Sequence, residues 1–243
     1  MSKLLDKLNQ VSRGSTQPMG FRKAATQKSP RMVLIAALGE GDDRAAAEAK
    51  ESADAVLIEG AGSQIASSLG EVPWGVSLAE VNEKELSQLK KTGCDFLVFD
   101  TEKAPLTLLE EEGLGKIAEV EPSLADGLIR AIGQLPIDAV LVGGEVSLSV
   151  HRLMVCQHLA NLVRKPLVVL APLGMSKEDL NGLWEAGMSG VMVKVEGGAK
   201  EELSGLRQAI DTLPPSRRVK ERVEASLPYP GGEEITPVEE EEE

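Results

Sequence analysis

Eight short apolar runs divide the middle of this 243-residue chain, and acids gather where the runs end. Glu40 follows the first run, Glu59 closes the second and Asp100 the fourth. Glu119 lies in the fifth with Glu121 just beyond it, Glu145 follows the sixth, and Glu196 follows the eighth. Lys194 is the only basic residue in the last turn of any run, and it shares parity with Glu196, so an extended strand projects both to one side. Three chemistries fit a lysine among carboxylates. Lys194 can form a Schiff base or polarise a carbonyl while Glu59 or Glu119 moves protons and Asp100 completes the charged set. Alternatively, Glu40, Glu145 and Glu196 can supply the oxygen ligands that a hard divalent ion such as Mg²⁺ or Mn²⁺ prefers. In the third, Gly174, Gly197 and Gly198 open the last two connections to a phosphate at a helix N-terminus, although Glu196 places like charge beside it. Against all three stands a structural reading, in which Lys194 only neutralises nearby glutamates.

Other chemistry-bearing types offer less. His151 and His158 are the only histidines and lie seven apart on one long helix pattern, with no further ligand to complete a metal site. Cys94 and Cys156 are too few for a disulfide framework and are expected as reduced thiols. Ser77 has no histidine near a run end to activate it. Trp74 and Trp184 read as packing residues.

The elements that position these side chains follow a regular beat. The apolar runs are Met32–Leu38, Ala55–Ile58, Pro73–Leu78, Asp95–Phe99, Lys116–Val120, Asp138–Val142, Pro166–Ala171 and Gly190–Val195. Repeat starts at 32, 53, 73, 94, 115, 137, 166 and 188 give intervals of 21, 20, 21, 21, 22, 29 and 22 residues. Such an interval holds a five- or six-residue buried strand, a turn and a helix. The runs alternate little between polar and apolar, as in parallel strands covered on both faces. Helix patterns fill Asp42–Ser52, Asn82–Thr92, Ser123–Leu135, Val146–Val163, Ser176–Ala186 and Lys200–Leu213. The stretch after the fourth run is a weaker helix pattern, with Pro105 at its start. Asn82 and Ser176 begin capping-box patterns, and Gly93, Gly133 and Gly187 mark expected helix ends. Leu4, Leu5, Leu8 and Val11 form an apolar stripe that predicts a short N-terminal helix packed on its own domain.

Eight strand–helix units predict an α/β fold, a single (β/α)₈ (TIM) barrel with short loops over residues 31–214. Residues 1–30 form an N-terminal arm, and 215–243 a linker and disordered acidic tail. A doubly wound sheet with a phosphate loop fits less well, because Gly39 and Gly41 are interleaved with Glu40, Asp42 and Asp43. On these eight repeated units the chain resembles the aldolase-type barrel superfamily. The resemblance is one of fold and carries no catalytic motif. It implies that any chemistry sits at the C-terminal strand ends, where the acids and Lys194 fall.

Composition bounds the partners. Charge is −13 in total, with +5 in residues 1–30, −7 in residues 226–243 and −11 between them. That balance excludes a general nucleic-acid binder. Only six residues are aromatic, which leaves little for stacking a base or a flat cofactor, so flavin and nucleotide are not supported. No apolar run is long enough to span a membrane, and the start lacks the continuous apolar core of a secretory signal, so a cytoplasmic protein is expected. The expected partner is a small molecule, with a homo-oligomer left open. The expected function is that of a lyase or isomerase acting on a small phosphorylated or carbonyl metabolite. The alternative is a barrel without catalysis that serves as an interaction or scaffold protein.

Overall fold

The structure, a computed structural model, describes residues 2–13, 31–60, 65–78 and 83–214. Eight strands form a closed parallel barrel in chain order: β1 (Val33–Leu38), β2 (Ala55–Glu59), β3 (Trp74–Leu78), β4 (Phe96–Asp100), β5 (Gly115–Val120), β6 (Ala139–Val142), β7 (Leu167–Ala171) and β8 (Gly190–Val195). The β1–β8 pairing, from Val33 with Gly190 to Leu38 with Val195, closes the ring. Each strand lies within about two residues of the apolar run that predicted it. The (β/α)₈ barrel expected from the beat is therefore the fold.

The described helices are α1 (Lys3–Arg13), α2 (Asp43–Ser52), α3 (Ala66–Leu69), α4 (Glu83–Lys91), α5 (Thr107–Glu110), α6 (Asp126–Ile132), α7 (Val150–Leu162), α8 (Lys177–Glu185) and α9 (Lys200–Asp211). Four differ from expectation, α6 among them, since it spans only Asp126–Ile132 of the expected Ser123–Leu135. α3 and α5 are single turns, because Gly70 at φ +65 stops one and Glu111 returns to extended backbone after the other. α7 starts at Val150 rather than Val146, because Ser149 accepts from the Arg152 amide and sets the first turn there. Gly93 and Gly187 take positive φ at their helix ends, whereas Gly133 stays at φ −59 and continues the turn. The Ser176–Asp179 capping box is present, with amide-to-side-chain distances of 3.1 Å in both directions. Asn82, residues 14–30 of the arm and the expected disordered tail at 215–243 lie outside the described residues.

The stripe on α1 seals the N-terminal end of the barrel. Leu4, Leu5, Leu8 and Val11 are all buried, each contributing roughly 1.5–3 kcal/mol relative to exposure. The seal depends on glycines. A Cβ at Gly115 would stand 2.6 Å from Leu5 Cδ1, and one at Gly190 would stand 3.3 Å from Leu8 Cδ2. Gly75 makes the same kind of room for Phe96, whose Cδ2 would lie 2.5 Å from an added Cβ. The Asp95 carboxylate holds the start of α1, accepting from Ser2 Oγ at 2.7 Å, Lys3 N at 2.8 Å and Leu4 N at 3.0 Å. Asp54 and Asp138 occupy matching places before β2 and β6. Each accepts from an amide near the start of the preceding strand, Leu34 N at 3.0 Å and Lys116 N at 2.9 Å. Among the described residues, no helix is long and apolar enough to cross a membrane.

Candidate functional site

Strand register decides which side chains face the barrel interior. Paired residues on neighbouring parallel strands point the same way. Lys194 pairs with Ala37 and Ala37 with Leu57, two residues before Glu59. Glu59 pairs with Ser77, Ser77 with Val98, and Asp100, two residues on, with Glu119. Lys194, Glu59, Ser77, Asp100 and Glu119 therefore share one face. Lys116 has the opposite parity, and its Nζ reaches the carbonyls of Leu109 and Glu111 on the helix side, at 2.7 and 3.1 Å. The shared face is thus the interior, opening at the C-terminal mouth.

Lys194 and Glu59 meet as an ion pair, Nζ to Oε1 at 3.2 Å. An ammonium on the interior face of a barrel is expected to be buried or half-buried. Instead the side chains are 64% and 50% exposed. Across the mouth, two adjacent carboxyls are driven apart. Asp100 is held below its ordinary value, first by the hydrogen bond from Glu102 N at 2.9 Å, then by Lys103, whose Nζ lies 3.1 Å from Oδ2. Glu119 is pushed up, first by burial and then by repulsion from Asp100 and Glu121, with partial relief from Lys194 and Lys103. Glu119 therefore senses both cations of the mouth. Its carboxyl rests against Gly143, where a Cβ would stand 2.7 Å from Oε1.

The remaining sequence candidates lie elsewhere. Glu40 rests over Gly60, 3.3 Å from where a Cβ would be, while Glu145 and Glu196 lie at the surface without a place in the Glu119 cluster. Among the described residues no group of three or more His, Cys, Asp or Glu side chains is placed to hold a metal ion, so Glu40, Glu145 and Glu196 do not form a ligand set. Gly197 and Gly198 do present their amides, but to the protein's own acids. Gly197 N donates to Asp42 Oδ2 at 3.0 Å, and Gly198 N donates to Glu48 Oε2 at 3.0 Å. Gly174 stands two residues before Ser176, which already caps the first turn of α8. His158 Nε2 lies 2.9 Å from Asp126 Oδ1 and links α7 to α6 on the outside of the barrel. Cys94 is buried at the N-terminal strand end, away from the mouth, and burial pushes its thiol up to about 12.

Sequence reasoning missed Lys103 and Gly143. Lys103 follows Asp100 by three residues, a spacing that a turn can fold back, and that was its only signal. Gly143 carried none, since its role depends on a side chain one strand away.

No family model and no curated protein sequence matches the chain. Solved structures do. The tryptophan synthase complex from Pyrococcus furiosus superposes with a TM-score of 0.60 at 14% identity, covering 73% of this chain and 97% of that one. A mutant tryptophan synthase alpha-subunit from the same organism gives 0.58 at 14% identity, covering 74% and 97%. A cube-shaped protein cage designed by fusing symmetric oligomeric domains gives 0.55 at 15% identity, covering 74% and 71%. At such identity the likeness is one of architecture, and it places the chain among the TIM barrels.

Proposed function

We propose that the barrel mouth is an acid–base site for a small carbonyl compound, with lyase or isomerase chemistry. The observation that supports this most is the divergence of two neighbouring carboxyls, Glu119 raised and Asp100 lowered. Such pairs separate a base that can take up a proton from an anion that stays charged. Glu119 removes a proton from the carbon next to the carbonyl. The C–H electron pair forms a carbon–carbon double bond to the carbonyl carbon, the carbonyl π pair moves to oxygen, and the Lys194 ammonium faces the charge that develops there. Glu59 keeps Lys194 directed across the mouth. Return of the proton from Glu119 to the former carbonyl carbon, with loss of the proton from a hydroxyl on the deprotonated carbon, completes an isomerisation. In a lyase reaction the carbonyl re-forms instead, and a group on the far side of the deprotonated carbon leaves with its bonding electron pair as a double bond forms between the two carbons.

The test is hydrogen–deuterium exchange at the carbon beside the carbonyl, followed by NMR in D₂O with dihydroxyacetone phosphate and pyruvate as probes. Exchange should depend on the protein and fall by about 10²–10⁴ in Glu119→Gln. Exchange equal to that of protein-free buffer for both probes counts against the reading.

A second reading has its own support. Val150 and Met154 stand one turn apart on α7 and are 76% and 64% exposed. Large apolar side chains in that position favour a barrel that serves as an interaction protein. Loss of a concentration-dependent self-association or pull-down signal in Met154→Lys, with no exchange activity in either form, would favour it.

A further inference from the structure

A guanidinium is buried beside the mouth without an acid to pair with. Arg152 lies in the first turn of α7 and is only 5% exposed. Its Nη2 donates to the Val142 carbonyl at the end of β6, at 3.1 Å. Its Nε is fully buried and, among the described residues, has no acceptor. Among the described residues, no carboxylate lies within ion-pair distance of it, although the chain is strongly acidic. An uncompensated buried cation is costly, and Arg is the side chain best shaped to grip a phosphate or carboxylate with two parallel donors.

With Nη2 engaged by Val142 O and Nε enclosed, Nη1 is the donor that Arg152 has left for a ligand. Nη1 lies 3.8 Å from where a Cβ on Gly144 would be, so the guanidinium sits under the connection from β6 to α7. That connection joins Gly143, against which Glu119 rests, to Ser149, which caps the helix. Among the described residues, no backbone hydrogen bond to another element ties this stretch down between the Gly143 amide, bonded to Val120 O, and the Leu153 amide, bonded to Ser149 O. The 13-residue α7 points its N-terminal dipole at the same corner, where Ser149 takes the Arg152 amide. The corner after β8 is the reverse case, since Asp42 and Glu48 already occupy its Gly197 and Gly198 amides.

We propose that the β6–α7 corner is an anion site, and that Arg152 with the start of α7 grips a phosphate group. The site stands one residue along the chain from the Gly143 contact of Glu119. It therefore gives the carbonyl compound of the proposed function a phosphate handle, and in that respect it rests on that reading. Binding of phosphate itself does not depend on catalysis.

The experiment uses the full chain and inorganic phosphate. Thermal unfolding is compared with and without phosphate for the wild type and for Arg152→Met, which keeps the bulk and removes the charge. Phosphate at many times its Kd should raise the wild-type Tm by about 3–10 °C and leave Arg152→Met unmoved. An equal rise in both proteins, or no rise in the wild type, overturns the proposal. Should Arg152→Met fail to fold, amide NMR of the wild type decides. Shifts that grow with phosphate at residues 143–153 support the site, and shifts confined to residues 197–199 or to Glu59 and Lys194 overturn it. Failure here, with deuterium exchange still dependent on Glu119, removes the phosphate handle and leaves the acid–base site standing.

Discussion

At the N-terminal end of the barrel, Asp54, Asp95 and Asp138 each stand one residue before a strand and accept hydrogen bonds from backbone amides. Asp54 also takes Arg207 Nη1 at 2.6 Å and Lys7 Nζ at 3.4 Å. At the C-terminal end, Glu119 has neighbours that repel it, and Glu59 has one exposed lysine. The same residue class thus does opposite work at the two ends. Below, acids satisfy the orphan amides of strand starts and of a helix, which stabilises the fold. Above, Asp100 is held by Glu102 N and Lys103, whereas Glu119 beside it is partly buried among like charges.

The sharpest way to separate the ends is to damage the lower one. Leu8 is fully buried against Gly190. Leu8→Ala should cost about 2–5 kcal/mol in urea unfolding. The titration of Glu119, followed by carboxyl NMR, should not move. A change in that titration would mean that the two ends are coupled through the barrel interior. Asp95→Ala should cost less, about 1–2 kcal/mol for the lost cap of α1. Glu121→Ala at the mouth serves as its control and should stay within about 0.5 kcal/mol of the wild type.

The lower end was far more legible in the sequence than the upper one. The leucine stripe at Leu4, Leu5, Leu8 and Val11 shows helical periodicity, and the eight apolar runs repeat at nearly constant intervals. Both are local patterns that survive without knowledge of neighbours. Parity put Lys194 on the side of Glu196, and only the strand register brings it to the interior face with Glu59. It could not say how deep Lys194 lies, because depth depends on loops that the strand pattern does not encode. The short helix after β2 was missed for a related reason, since four residues are too few to show a period. The acids at strand ends could not be ranked from sequence either. Glu119 lies inside its run whereas Glu145 and Glu196 follow theirs, but its burial and the repulsion from Asp100 on the next strand are facts of three dimensions.

Glu119→Gln should be smaller in stability and opposite in sign to the damage below. A carboxyl whose folded-state pKa is raised binds its proton more tightly when folded. Its contribution therefore falls as pH rises from the unfolded toward the folded value, and above that window the charge is a net burden. The neutral glutamine removes the burden. Its Tm should exceed that of the wild type near neutral pH, and the two should converge under acid conditions that protonate Glu119 in both states. A glutamine variant less stable than the wild type at neutral pH would show that the carboxylate is held by partners, as the lower acids are.

Lys194→Gln should have the smallest effect on stability and the most telling one on the mouth. The Lys194–Glu59 pair is solvent-exposed on both sides, and such pairs contribute about 0–1 kcal/mol. Lys194 nevertheless acts on Glu119 across the opening, in the direction that favours its charged form. Removing the ammonium should leave urea unfolding almost unchanged while the Glu119 titration, read by carboxyl NMR, moves further upward. Salt sharpens the test, because a Debye length of about 3 Å at 1 M screens an interaction that spans the mouth. The difference between wild type and Lys194→Gln should then shrink, while the part of the Glu119 shift that comes from burial persists. If Lys194→Gln leaves the Glu119 titration where it was at low salt, the lysine serves Glu59 alone. The mouth then divides into two independent halves rather than one charged site.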